Sequence, residues 1–180
     1  MPIPRTWVEE LIVEWLHLEG YLVEANFPVT VAPAGGRGEA DVVGAKVVKG
    51  ELEILHIETG QLAGGKSSIE AAIRKFSGEV EKSLTLYFSQ RFSSCPSHVK
   101  YKPIYVPTYW TNPTVKGIEA AGIRVVPLPE FIRHKVLPTI GNWKQDPPHA
   151  PKGKGTHITL PESFWLLQFL DHLQVHKLLR

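Results

Sequence analysis

Among the 180 residues there is one cysteine and one methionine. A lone Cys95 excludes an internal disulfide framework and any zinc site built on cysteines. It precedes Pro96 and no local pattern marks it as a nucleophile, so it reads as a spectator thiol. No apolar run approaches the ~20 residues of a membrane-spanning helix. Met1-Pro2-Ile3-Pro4-Arg5 lacks the apolar core of a secretory signal. These absences point to the cytoplasm as the expected compartment, with no membrane partner. No internal repeat is visible. A large net charge is also missing: the formal value is +2, which by itself does not announce a partner for polyanions.

Divided along the chain, the charge is uneven. Residues 1–60 hold ten acids and four bases, whereas residues 61–180 hold eight acids and sixteen bases. An acidic front and a basic back is the asymmetry to explain. Fifteen glycines and fifteen prolines are scattered through the chain, which favours punctuated loops over disorder. The length suits one domain with a core of its own, with or without an appendage.

Hydrophobic spacing predicts a helix over residues 6–19, closed by Gly20. A bent or edge strand (Tyr21–Val31) follows, interrupted by Asn26 and Pro28. After a glycine-rich loop at residues 33–38, two strands (Ala40–Val48 and Glu51–Thr59) are joined at Lys49-Gly50 as a hairpin. A two-residue turn there sets Lys46 opposite Glu53, Val48 opposite Glu51 and Asp41 opposite Glu58. Gly60–Lys66 reads as a loop. Ser67 and Glu70 form a capping-box pattern for a helix extending to about Gln90. Strand Tyr101–Tyr109, helix Pro113–Ala121, strand Ile123–Leu128 and helix Pro129–Leu137 complete an α/β pattern with a mixed sheet. The expected division is a core over 1–141, a Pro/Gly/Lys-rich linker over 142–158 and a terminal helix over 159–180 that packs on the core or on a partner.

Three acids stand apart. Asp41 and Glu58 directly opposite each other would repel in a plain hairpin, and a hard cation such as Mg²⁺ or Mn²⁺ between them relieves that. Glu39 and His56 lie two residues before them on the same face. Glu9 falls at the margin of the apolar arc of its helix, whereas Glu10, Glu14 and His17 share the polar side. His56 is either a base or orienting group, or an interior histidine bonded into the sheet.

The helix bearing Glu9 before Gly20-Tyr21, the run Gly35-Gly36-Arg37-Gly38-Glu39-Ala40-Asp41-Val42-Val43-Gly44, and Ile54-Leu55-His56-Ile57-Glu58 together resemble the PD-(D/E)XK, or restriction-endonuclease-like, nuclease superfamily. Gly122-Ile123-Arg124-Val125-Val126-Pro127-Leu128 is similar to the closing strand of its Mrr-type members. The resemblance spans residues 6–137. It implies an αβββαβ core with a mixed central sheet flanked by helices, Mg²⁺ or Mn²⁺ held by Asp41 and Glu58, and Glu9 as an additional metal-binding acid. The superfamily carries a lysine two residues after the second acid; here that position is Gly60. Gln61, Lys66 and Lys75 are the available substitutes.

The resemblance further implies a metal-dependent DNA endonuclease of restriction type, working as a homodimer. Arg37, Lys66, Arg74 and Lys75 are candidate contacts to phosphates, within a longer series of downstream bases. Tyr101, Tyr105, Tyr109 and Trp110 are either stacking platforms for bases or core residues. The missing lysine leaves two other readings open. One is a catalytically inactive nuclease fold that binds nucleic acid or protein; the other is a repair or junction-resolving nuclease.

Overall fold

In the computed structural model of the chain, the described residues are 4–31, 37–92, 98–146 and 159–178, with Thr30, Val31 and Arg37 described in backbone only. Helix α1 (Trp7–Leu18) starts at Thr6, whose hydroxyl accepts from the Glu9 N–H. The Glu9 carboxylate in turn accepts from Thr6 Oγ1 at 3.1 Å and from the Arg5 N–H at 2.7 Å. This reciprocal arrangement satisfies donors that a helix start otherwise leaves open. The helix ends at Gly20, whose φ of +81° suits glycine.

Five strands follow: β1 (Leu22–Val31), β2 (Arg37–Val48), β3 (Glu51–Leu62), β4 (Val99–Trp110) and β5 (Arg124–Val125), side by side in that order. The first three are antiparallel, and β3–β4 and β4–β5 are parallel. The β2–β3 turn places Lys49 and Gly50 at φ +52° and +84°, the two positive values that a tight hairpin turn demands. Lys46 pairs with Glu53 and Val48 with Glu51. Strand β1 is an edge strand, and its register shifts between Pro28 and Thr30, where proline cannot donate to a ladder.

Helices cover both faces of the sheet. Helix α1 packs on one face with α5 (Leu128–Phe131), α6 (Leu137–Gln145) and α7 (Trp165–Val175), around Leu11, Leu16, Val42, Ile57, Phe131 and Leu167. A single π-helical turn (Ile132–Val136) joins α5 to α6. The other face takes α2 (Gly65–Lys75) and α3 (Gly78–Ser89), with α4 (Asn112–Glu119) beside α2. Leu84 and Phe88 of α3 fill the space over Val43, Ala45 and Ile54. Where α4 meets α2, a Cβ added at Gly117 would stand 2.6 Å from Ile69 Cδ1. Glycine therefore lets the two helices approach closely. The architecture is mixed α/β, a five-stranded mixed sheet flanked by helices.

Several expectations are corrected. Strand β3 continues through Gly60 and Gln61 to Leu62, because β4 keeps pairing with it past a bulge at Gly60/Gln61. Ser67 and Glu70 do not form a capping box: the helix starts earlier, after Gly64, and Ser67 Oγ donates to the Gly64 carbonyl. The long helix to Gln90 is two helices, since Ser77 is extended (φ −60°, ψ 156°) and restarts the chain as α3. Lys46 and Glu53 are paired in register but not bonded. Glu53 accepts from Tyr21 and Lys102, and Lys46 sits over the Tyr21 ring at 4.0 Å. Of the strand expected over 123–128 only Arg124 and Val125 pair. Residues 142–145, read as the start of a linker, belong to α6, and Trp143 packs on the core. Residues 147–158 lie outside the described residues, as does Cys95.

The polar side assigned to Glu14 is not a solvated one. Helix α7 covers it, and the Glu14 carboxylate accepts from the Leu166 and Leu167 N–H groups at 3.3 and 2.9 Å. Trp165 Nε1 donates to Glu10 at 2.8 Å, and Lys144 pairs with Asp171 at 2.9 Å. Among the described residues, no helix is long and apolar enough to cross a membrane.

Candidate active site

The α2–α3 face of the sheet gathers its chemistry at the end of the β2–β3 ladder. Extending the register one residue past Val42–Ile57 brings Asp41 beside Glu58. Both belong to the alternate set of residues that includes Val43 and His56, so their side chains share a face. Glu58 and His56 have no exposed side-chain surface. Glu58 Oε1 accepts from His56 Nε2 at 2.8 Å and from the Asp41 N–H at 3.3 Å. Asp41 Oδ2 accepts from the Thr59 N–H at 2.8 Å and from Thr59 Oγ1 at 3.1 Å.

A cation closes the pair. Lys75, the last residue of α2, donates to Glu58 Oε2, and its Nζ lies 3.6 Å from Asp41 Oδ1. Burial alone would raise the Glu58 carboxyl. The His56 hydrogen bond and charge, with Lys75, outweigh that and hold it below the ordinary glutamate value. Asp41 goes the other way: burial first, then the neighbouring Glu58 charge, raise it above the usual aspartate value despite Lys75 and the Thr59 N–H. Lys75 loses by burial but gains more from Glu58 and Asp41, which hold its ammonium above the usual lysine value. The resting pair is an ionised Glu58 bridged by an ammonium to an Asp41 that is more readily protonated.

The glycine at position 60 has a structural cause. Its φ is +133°, and a Cβ there would meet Tyr105 OH at 3.1 Å. That hydroxyl donates to the Thr59 carbonyl at 3.2 Å. A lysine at position 60 would strain the backbone and crowd this tyrosine. The positive charge comes from the following helix instead.

The other sequence candidates lie elsewhere. Lys66 is 90% exposed and sits 3.9 Å from Glu70. It is nine residues before Lys75 on the same helix, which at 1.5 Å per residue puts it about 13 Å away along the axis. Gln61 is exposed beyond the bulge, and Arg74 is exposed on α2. The Glu9 carboxylate is engaged by the start of α1, although its charge still acts on Asp41. Glu39 pairs with Arg5. The Arg37 side chain lies outside the described residues. Tyr109 is exposed, whereas Tyr105 is buried and Trp110 packs beside Leu62.

Sequence reasoning missed two members. Thr59 fixes the Asp41 rotamer, and its only signal was its place after Glu58. Tyr101 OH contacts His56 Nδ1 at 2.6 Å. The signal was the alternation of Tyr101 with Tyr105 on β4; the parallel register pairs Tyr101 with Ile54, two residues before His56, and Tyr105 with Glu58. His56 thus bonds through both ring nitrogens, Nε2 to the Glu58 carboxylate and Nδ1 to the tyrosine hydroxyl. A continuous chain therefore runs from Tyr101 through His56 and Glu58 to Lys75.

Among the described residues, no group of three or more His, Cys, Asp or Glu is placed to hold a metal ion. The oxygens turned toward Lys75, Asp41 Oδ1 and Glu58 Oε2, are a two-carboxylate set. Mg²⁺ commonly takes one or two carboxylates and keeps its remaining waters, so the donor chemistry fits a hard cation next to the ammonium. Compared with known proteins, the chain gives no match to a family model, to a curated protein or to a solved structure.

Proposed function

We propose that the protein is a metal-dependent DNA endonuclease of restriction type, built on a restriction-endonuclease-like αβββαβ core formed by α1, β1–β3, α2–α3 and β4. The observation that carries this reading is the convergence of Asp41, Glu58 and Lys75 from two adjacent strands and the following helix. Two carboxylates facing one ammonium is a costly arrangement for a purely structural hairpin, because the buried charges must lose water. It is the inventory that phosphodiester hydrolysis uses: acids for a hard cation and a fixed positive charge for a phosphate.

Asp41 and Glu58 would hold Mg²⁺ or Mn²⁺, which when bound would supply Lewis acidity and lower the pKa of a water. The chain's own groups do the rest. Lys75 offers an N–H donor to a phosphate oxygen or to an attacking water. Thr59 and the Asp41 N–H hold the two carboxylates in fixed rotamers. His56, clamped between Tyr101 and Glu58, keeps Glu58 ionised. Exposed bases Lys66 and Arg74 on α2, with Lys116 on α4, supply phosphate contacts without sequence readout. A homodimer would bring two such sites to a duplex.

The test is cleavage of supercoiled plasmid with Mg²⁺ or Mn²⁺, beside a panel of junction and flap substrates. We expect nicking that falls at least a hundredfold in Asp41→Ala, Glu58→Ala and Lys75→Ala. Equal activity in those variants and the parent sinks the assignment. Preference for the branched substrates moves the protein to a repair or resolving role.

One observation favours a second reading, an inactive nuclease fold that binds nucleic acid or protein. Lys75 already bridges the two carboxylates, so the cluster holds a cation of its own without a metal. Calorimetry that detects DNA binding but no Mn²⁺ binding would select this alternative.

A further inference from the structure

Across the sheet from Asp41 and Glu58, a cavity of about 330 Å³ opens between α1, strands β3–β5 and the α5–α6 stretch. That is the lower end of the ~300–1,000 Å³ found for small-molecule sites. Its floor is apolar, formed by Trp15, Leu55, Ile104 and Phe131. Trp15 and Phe131 meet edge to face at 5.0 Å, and Trp15 Nε1 is fixed on Thr139 at 3.1 Å. The floor is rigid before any ligand arrives, which lowers the entropic cost of binding.

The polar rim is unbalanced. Two acids line it, and both have partners: Glu53 accepts from Tyr21 and Lys102, and Glu19 accepts from Thr139 and lies 3.9 Å from Lys46 Nζ. Arg124 and Lys135 line the same cavity, and neither side chain has a hydrogen bond or ion pair among the described residues, the Lys135 backbone carbonyl alone accepting from Thr139. The Asn142 side chain is likewise unengaged among those residues. Lys135 is held in the π-helical turn and Asn142 follows on α6, both on the cavity-facing side. Such turns concentrate at functional sites, because the inserted residue re-aims the side chains beyond it.

Two unpartnered cations beside an apolar floor, with one free amide, describe a ligand with a dianionic group and a flat polar-edged ring. We propose that this cavity binds a nucleoside monophosphate, with the heterocycle over Trp15 and Phe131, the phosphate on Arg124 and Lys135, and Asn142 at the ring edge. The same chemistry is offered by a free nucleotide and by the 5′-phosphorylated end of a DNA strand. The site does not rest on the nuclease reading, since no residue is shared with the Asp41–Glu58–Lys75 cluster.

The experiment is a calorimetric titration of the full chain with deoxyadenosine and deoxycytidine 5′-monophosphates, the two nucleosides, inorganic phosphate, and a short oligonucleotide with and without a 5′-phosphate. At least one monophosphate should bind at least tenfold more tightly than its nucleoside and than inorganic phosphate. Arg124→Ala and Lys135→Glu should each weaken binding at least tenfold, while Asp41→Ala leaves it unchanged. Arg124 is exposed and Lys135 half-buried, so both variants should fold, and their thermal transitions check this. If the phosphorylated oligonucleotide binds with the same dependence on Arg124, the natural ligand is a strand end; if only the monophosphates bind, it is a free nucleotide. Absence of binding by every monophosphate, or binding indifferent to both substitutions in folded variants, overturns the proposal.

Discussion

Glu58 and Glu14 are both withdrawn from water, yet the first is held below the ordinary carboxylate range and the second above it. Burial pushes both upward. At Glu58 a histidine and a lysine answer it. At Glu14 the donors are the neutral N–H groups of Leu166 and Leu167, and neighbouring Glu10 adds repulsion. The difference separates two tasks. At Glu14 the backbone amides place the carboxylate and tie α7 to α1 without overcoming its burial, whereas at Glu58 the histidine and lysine do overcome it. Such a cluster is a site candidate, whereas the α1–α7 seam is a structural joint.

The comparison can be broken by truncating each acid. Glu58→Ala strands His56, Lys75 and the Asp41 N–H, and should cost about 3–5 kcal/mol of stability in urea unfolding. A loss under about 1 kcal/mol would mean that Lys75 and water compensate fully, and the contrast with Glu14 would collapse.

A pH series sharpens the same contrast, because the two shifts have opposite signs. The depressed Glu58 contributes stability above the ordinary glutamate value of 4.5, and that stability is lost as pH falls through its lower folded value. The raised Glu14 behaves inversely: stability declines as pH climbs from 4.5 to its higher folded value, then levels. Glu14→Gln should therefore flatten the slope above pH 4.5 and leave the acid limb below it. Identical profiles for Glu14→Gln and the parent would remove the distinction.

The smallest expected effect is at the far end of the hydrogen-bond chain. Tyr101→Phe leaves His56 Nδ1 without its partner and should cost about 1 kcal/mol. If the proposed activity exists, its pH profile should move while substrate affinity stays put. An unmoved profile would confine Tyr101 to packing.

How much of this was legible depended on sequence distance. The hairpin wrote its own register, because Lys49-Gly50 admits a two-residue turn and alternation then sets Asp41 beside Glu58. Lys75 could be named as a substitute for the absent lysine, but only the packing of α2 chose it over Lys66 and Gln61. The capping role of Glu9 was overlooked because its wheel position ignored Thr6: a Thr and a Glu three residues apart make a capping pair, the pattern wrongly assigned to Ser67 and Glu70. Glu14 was unreadable for a different reason. The backbone that covers it lies 152 residues away at the nearest hydrogen bond, and no local pattern encodes such a visit. The break between α2 and α3 was hidden by continuous helical spacing across Ser77.

Gly117 gives the site a remote adjustment. Its missing side chain lets α4 and α2 press together at Ile69, and α2 carries Lys75 at its other end. The carboxylates are anchored in the sheet, so any widening of that helix contact shifts the ammonium while they stay still. A side chain at position 117 would therefore alter the spacing between the ammonium and its two carboxylates without touching any of the three.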